Sequence, residues 1–404
     1  MENSVHKLIQ ASYPQALSKL ISSLKNIDLA EEYLQIAVEK ALKYWPENPP
    51  EVAVAWLITA AKNSYIDDFR KQQKQISWEQ SSAEVDQTCL EQQALVQSYK
   101  DDLLRLIFTS CHPSLSLERQ ILLSLKHVLG LTVDEIAQAM VLKTSNVQQK
   151  LLRAKHKIAA TGIQYHIPSK NEWPPRLAGV LKTIYLLFNQ GYFASEQHNF
   201  IRLSLCSEAI KLAETLLICT DNNPEVAALL ALIMHQDARR PARIDKLGNL
   251  VLLQDQDRNL WQQDKILTAN TLAIQSLAKT GRSYYGLQAA IAALHNNAKS
   301  YSETDWLQIH QLYQLLLEID DNPVIKLNAA VALANTGQRK EAIEIVLKLE
   351  EPLQHYQHFS VTLAGLYFDN GQYPQAQHHY QKALEISVNY SQQKFIKERL
   401  LLCN

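Results

Sequence analysis

The chain has 404 residues, a formal net charge of -1, 47% hydrophobic residues and only 10 glycines. That length allows two or three domains with ample buried core, and the composition excludes a disordered or collagen-like chain. A net charge near zero excludes a general polyanion binder, so any affinity for nucleic acid has to come from local patches.

Cys89, Cys111, Cys206, Cys219 and Cys403 are scattered, form no disulfide framework and fit a reducing compartment. No apolar run approaches the ~20 residues needed to span a bilayer, and the N-terminus lacks a signal-peptide core. These features predict a cytoplasmic protein with no membrane partner. Aliphatic residues recur at helical rather than alternating spacing almost throughout, so the expected fold class is all-α.

In chain order, Asp28 to Trp45 reads as an acidic amphipathic helix. Pro46, Glu47, Asn48, Pro49 and Pro50 cannot continue it, because proline lacks the amide donor and restricts the residue before it. A second helix, Ala55 to Lys71, interleaves aromatics with polar and basic residues: Trp56, Lys62, Asn63, Tyr65, Phe69, Arg70 and Lys71. Such a face suits single-stranded DNA, since rings stack on exposed bases while cations follow the phosphates. Core packing is the better account of Trp56 and Phe69 taken singly, and a solvated face explains the lysines equally well. Ile76 to Gln97 is rich in glutamine, serine and acid and reads as a linker. The next helix contains Leu103, Leu104, Leu106, Ile107 and Phe108 and ends at Cys111-His112-Pro113. No second Cys/His pair lies at zinc-finger spacing, so packing rather than a metal is expected there.

Leu131 to Ile158 is the most informative stretch. Thr132 and Glu135 stand at capping-box spacing and open a helix with Ile136, Ala137 and Met140 on one face. Val141 to Lys143 is the turn, and Thr144 or Ser145 can cap a second helix with Val147, Leu151, Ala154 and Ile158 inward. Gln148, Gln149, Lys150, Arg153, His156 and Lys157 fall mainly on the other faces, a set of long donors suited to phosphates and base edges. The pattern predicts a DNA-reading helix-turn-helix, against the plainer reading of a basic solvated face.

The two blocks together resemble the sigma factors of bacterial RNA polymerase, specifically the compact extracytoplasmic-function type, over about the first 165 residues. Asp28-Leu29-Ala30-Glu31-Glu32 and Gln35 are similar to that family's core-polymerase-binding motif, usually Asp-x-Ala-Glu-Asp followed by Gln-Glu. Here Glu32 replaces aspartate and Ile36 the second glutamate, and the loss of one charge implies a weaker contact. Tyr44 through Leu57 resembles the loop that captures a base flipped out of the minus-ten element, with Asn48 as the polar reader. Trp56, Lys62, Asn63, Tyr65, Arg70 and Lys71 then contact minus-ten DNA along the promoter-melting segment. The run Ser145 to Ala154 resembles the helix that reads the minus-thirty-five element. The resemblance assigns that contact to Thr144, Ser145, Asn146, Gln148, Gln149, Lys150, Arg153 and Lys157. Many relatives carry lysine, serine and arginine where this chain has Gln148, Gln149 and Lys150, which implies a different promoter preference.

The remaining chain is helical in pattern, with expected helices at Arg176 to Gln190, Arg202 to Leu217, Pro224 to His235, Trp261 to Ala278 and Asp305 to Ile319. A charged stretch runs from His235 through Arg243 to Gln254-Asp255-Gln256-Asp257-Arg258 and Trp261. It fits a salt-bridged loop better than an active site, because no nucleophile-base set, Walker loop or dinucleotide glycine motif accompanies it. Near the C-terminus residues match themselves at a spacing of 34: Ala330 with Ala364, Leu333 with Tyr367, Gly337 with Gly371, Gln338 with Gln372, Ala342 with Ala376, and Val346 with Tyr380. This is the tetratricopeptide period, and such stacks bind a protein or peptide ligand or merely extend a fold. The order of the whole chain resembles a subgroup of extracytoplasmic-function sigma factors with a C-terminal tetratricopeptide-like extension, which implies regulation by the fused extension.

The expected organisation is a sigma region 2 over residues 1–75, a linker over 76–98, a region 4 helix-turn-helix over 99–165, a helical extension over 170–320 and repeats over 321–404. The expected function is promoter recognition, DNA melting and transcription initiation with core RNA polymerase and promoter DNA as partners, without catalysis, metal or cofactor. The alternatives are a stand-alone helix-turn-helix regulator with a helical-repeat sensor domain, and a helical-repeat interaction scaffold.

Overall fold

A computed structural model describes residues 2–24, 26–74, 103–161, 168–194, 200–245, 251–354, 356–386 and 390–403. The linker expected at 76–98 lies outside the described residues. The described elements are helices, as the spacing of apolar residues requires, and they fall into two compact units, Met1–Leu187 and Phe188–Asn404.

The first unit opens with α1 (Glu2–Leu24), α2 (Ile27–Tyr44) and α3 (Ala53–Lys74), which pack on one another. Leu17, Leu20 and Ile21 meet Leu34, Ala37 and Ala41 from α2 and Leu57 and Ala61 from α3, all nearly inaccessible to water. Asn26 starts α2 by accepting from the Leu29 amide at 3.1 Å. Residues 103–110 form α4, and α5 (Leu117–Leu123) continues into a π-helical turn, Ser124–Val128. Wide turns of that kind inside helices re-aim side chains, and this one packs against α1. α6 (Val133–Met140) and α7 (Thr144–Thr161) complete the unit's second half, followed by the start of α8 (Leu177–Ala194). Gly179 lets α8 approach closely, because a Cβ there would lie 2.8 Å from Cys111 Sγ and 2.5 Å from Gln120 Oε1. Cys111 is fully buried beside Ser124 Oγ at 3.7 Å, and burial pushes its thiol up to about 12, which makes it a packing residue.

The second unit is a succession of packed helices. α9 (Phe200–Cys219), α11 (Gln263–Thr280) and α12 (Tyr284–Asn297) surround α10 (Pro224–Ala238), which is buried from Val226 to Ile233. α13 (Trp306–Ile319), α14 (Pro323–Asn335), α15 (Arg339–Leu347), α16 (Glu350–Leu353), α17 (Gln357–Asp369), α18 (Tyr373–Ile386) and α19 (Tyr390–Leu402) follow. The pairs Asn223-Pro224 and Asn322-Pro323 start α10 and α14 in the same way, with an asparagine cap and proline at the first helical position. The 34-residue period is visible in three dimensions. Ala330, Leu333, Ala342 and Val346 are buried between α14 and α15, and Ala364, Tyr367, Ala376 and Tyr380 between α17 and α18. Gly337 and Gly371 close the two turns with φ of 98° and 73°, a region in which a side chain is strained.

Candidate nucleic-acid interface

The helix-turn-helix is assembled by local chemistry. Thr132 Oγ1 accepts from the Glu135 amide at 3.2 Å, while Glu135 Oε2 accepts from the Thr132 amide at 2.7 Å, the reciprocal pair of a capping box. α6 ends at Val141, whose φ of 54° places it in the left-handed region and turns the chain sharply toward α7. The Thr144 hydroxyl donates to Asp134 Oδ1 at 3.0 Å and so ties α7 to α6. Ile136 and Ala137 pack against Val147, Leu151 and Ala154, all buried, so α7 presents its opposite face outward.

On that outward face Ser145, Asn146, Gln148, Gln149 and Arg153 are exposed, as is Thr144 in the first turn. Leu152, 56% exposed, lies among them. Lys150 and Lys157 are half-buried and engaged within the domain, the first by Glu118 and the second by the Ser114 carbonyl oxygen. Of the eight residues expected to meet duplex DNA, six are therefore exposed, and three, Thr144, Lys150 and Lys157, have internal partners.

The α3 residues divide similarly. Trp56 is half-buried and meets the fully buried Trp45 edge to face, with ring centroids 5.5 Å apart. Tyr65 is half-buried between Tyr33, at 5.2 Å, and Phe69, at 6.1 Å. Packing holds these two rings. Phe69 is 48% exposed and shares a helical strip with half-buried Lys62, exposed Ile66 and exposed Arg70. Asn63 is exposed, and Asn48 is exposed in the loop after α2. The Lys71 side chain lies outside the described residues.

Asp28, Glu31, Glu32 and Gln35 lie on neighbouring positions of α2, at spacings of three and four residues. Glu32 and Gln35 are exposed. Asp28 and Glu31 face residues from the other half of the unit. Lys155 Nζ donates to Asp28 Oδ1 at 3.0 Å and to Glu31 Oε2 at 3.4 Å, and His127 Nδ1 is bonded to Glu31 Oε1. His127 stands on the π-helical turn and is buried, and Lys155 stands on α7. Burial alone would push the Glu31 carboxyl up, but the bonds and charge of His127 and Lys155 prevail and hold it below the usual carboxylate range. Burial likewise opposes the charge on Lys155, while Asp28 and Glu31 hold its ammonium above the usual lysine value. The sequence pattern singled out neither His127 nor Lys155. They become visible only because residues 96 and 124 positions away meet Glu31.

Among the described residues no group of histidine, cysteine, aspartate and glutamate side chains is placed to hold a metal ion. No described helix is long and apolar enough to cross a membrane.

Residues 105–158, which include α6 and all but the last three residues of α7, match the family model described as sigma-70, region 4. Residues 176–277 match a family of unknown function, DUF6596. The chain is 36% identical over 392 residues to the uncharacterized protein R00370 of Rhizobium meliloti (strain 1021), covering 96% of this chain and 93% of that one. Among solved structures, the tetratricopeptide protein TTC0263 of Thermus thermophilus is 18% identical with a TM-score of 0.37, covering 55% of this chain and 98% of that one. A tetratricopeptide repeat protein of Parabacteroides merdae is 14% identical with a TM-score of 0.35, covering 78% of this chain and 97% of that one. The chain belongs to the family of the Rhizobium meliloti protein, and it carries a sigma-70 region 4 domain.

Proposed function

We propose that the protein is a promoter-specificity subunit of bacterial RNA polymerase, a sigma factor of the extracytoplasmic-function type with no catalysis of its own. The observation that carries this reading is the capped helix-turn-helix inside the region 4 match, with an exposed face of Ser145, Asn146, Gln148, Gln149 and Arg153. Glutamine pairs bidentately with adenine and arginine with guanine in the major groove, and Leu152 offers an apolar contact for a thymine methyl.

In this reading residues 1–75 bind core polymerase and the minus-ten element, 99–165 bind the minus-thirty-five element, and 76–98 link them. Asp28, Glu31, Glu32 and Gln35 bind core polymerase. Asn48 reads a flipped base, and Lys62, Asn63, Phe69, Arg70 and Lys71 follow the melted strand, while Trp56 and Tyr65 shape the platform beneath it. Because Lys155 and His127 already hold Asp28 and Glu31, polymerase gains these two residues by exchange, and the free protein is the less active form. Residues 170–320 and the repeats over 321–404 regulate that exchange, the repeats through a protein or peptide ligand.

Co-elution of the purified full chain with bacterial core RNA polymerase tests the reading. A stoichiometric complex that Asp28→Ala and Glu32→Ala weaken is expected. No complex, together with tight binding of duplex promoter DNA by the protein alone, would replace it with the stand-alone regulator.

A further inference from the structure

The charged stretch 235–261 has no part in the DNA-facing surfaces. Its buried acidic member is accounted for, while Asp255 and Asp257 are not buried. Asp237, 1% exposed, is held by Lys265 Nζ at 2.5 Å and lies 3.3 Å from Arg240 Nε, an ion-paired support at the end of α10. Among the described residues Arg239 and Arg258 have no such carboxylate pairing. Arg258 Nη1 donates to the carbonyl oxygens of His295 and Ala298, both at 2.7 Å, and its guanidinium lies 4.5 Å from the centre of the Trp261 ring. Those bonds fix the group, and they leave Nη2 buried without a partner. Arg239 Nε and Trp261 Nε1 are also buried without partners. Asn296 Nδ2 donates to the His235 carbonyl oxygen at 2.9 Å, which sets the amide's orientation, and therefore also donates to His235 Nδ1 at 3.1 Å. The imidazole proton is then on His235 Nε2, again buried and unpartnered.

Apart from the ion-paired Asp237, the charges that act on these donors are mainly positive. Burial and then Arg239 pull the Arg258 guanidinium below its usual value, with Glu303 the acidic group acting in opposition. His235 is lowered to about 4 by burial and Arg239, and His295 to about 3 by burial, Arg239 and Arg258. Both imidazoles are neutral at pH 7, so the two guanidiniums carry the charge. An unpartnered buried donor keeps its full desolvation penalty, and donors beside guanidinium groups are most fully satisfied by a charged acceptor.

We infer that the end of α10, the turn 258–261 and the end of α12 form a binding site for a small oxyanion, a carboxylate or a phosphate. Arg239 and Arg258 supply the charge, and Trp261 and His235 the neutral N–H donors. Asn296 Oδ1, buried and without a donor, accepts from a hydroxyl on the same ligand, such as that of hydrogen phosphate or a hydroxy acid. The site is independent of the sigma reading and gives the extension a chemical input of its own.

The test is the thermal denaturation of the full chain in millimolar inorganic phosphate and, separately, citrate, at constant ionic strength. A saturating rise in midpoint is expected for the wild type, a smaller one for Arg239→Lys and none for Arg239→Gln. A response to phosphate alone assigns the phosphate class, and a response to citrate alone the carboxylate class. Equal responses in wild type and Arg239→Gln, or none to either anion, would overturn the site. Trp261→Phe keeps the ring and removes one donor. Calorimetric titration with the responding anion should give several-fold weaker binding for it than for wild type, and unchanged binding would also overturn the site.

Discussion

Replacing Lys155 with alanine should tighten binding to core polymerase. In the free protein Lys155 reaches Asp28 Oδ1 at 3.0 Å and Glu31 Oε2 at 3.4 Å. The Asp28 side chain is 76% exposed, so its pairing contributes only a few tenths of a kcal/mol at physiological salt. Glu31 is 25% exposed and Lys155 35%, which places that pairing nearer ~0.7 kcal/mol. Their sum, about 1 kcal/mol, corresponds to roughly a fivefold gain in affinity when the competing contact is removed. Fluorescence anisotropy of the labelled full chain titrated with core polymerase, without DNA, reads this directly. Lys155→Arg should stay near wild type, and the gain in Lys155→Ala should shrink as salt rises. Unchanged or weaker binding by a folded Lys155→Ala would refute the exchange of partners at Asp28 and Glu31.

Other consequences are equally accessible. His235 and His295 have folded values of about 4 and about 3, below the unfolded value near 6.5. Between those limits the unfolded chain binds more protons, so stability is full above about pH 6.5 and falls as the pH drops toward 4. At pH 5 the loss is about 2 kcal/mol for each histidine, and His235→Gln should flatten the pH dependence of denaturant unfolding monitored on the second unit. Gly179→Ala should cost about 1–3 kcal/mol, visible as a lower thermal midpoint, because its Cβ meets Cys111 and Gln120. Gln149→Ala should weaken discrimination at one upstream base pair by about 1–3 kcal/mol in a promoter-variant transcription panel, leaving polymerase binding unchanged.

Features built from neighbouring residues were legible in the sequence. The capping box at Thr132 and Glu135 marks α6, and the apolar spacing of Val147, Leu151 and Ala154 marks the buried face of α7. The 34-residue match marks the buried pairs of the repeats and their two glycine turns. The helix Tyr284–Asn297 was not anticipated, because Gly286 near its start weakens the helical signal. In the structure Gly286 fits close against Ser283 and Leu277, where a Cβ would clash, and the Ser283 hydroxyl caps the helix through the Gly286 amide. Charge type alone also gave no sign that Lys150, which reads as a DNA donor, is engaged by Glu118 from 32 residues upstream. The contacts of Glu31 with His127 and Lys155, and the gathering of Arg239, Arg258 and Asn296, depend on pairings across long sequence separations. No local period encodes them.

The central claim is tested most directly by run-off transcription from a genomic promoter pool with core RNA polymerase and the full chain. The account predicts transcripts that start at a discrete set of promoters only when both are present, and that are lost when the exposed face of α7 is changed by Gln148→Ala and Gln149→Ala together. Initiation no different from that of core polymerase alone, with a protein shown to be folded, would contradict it.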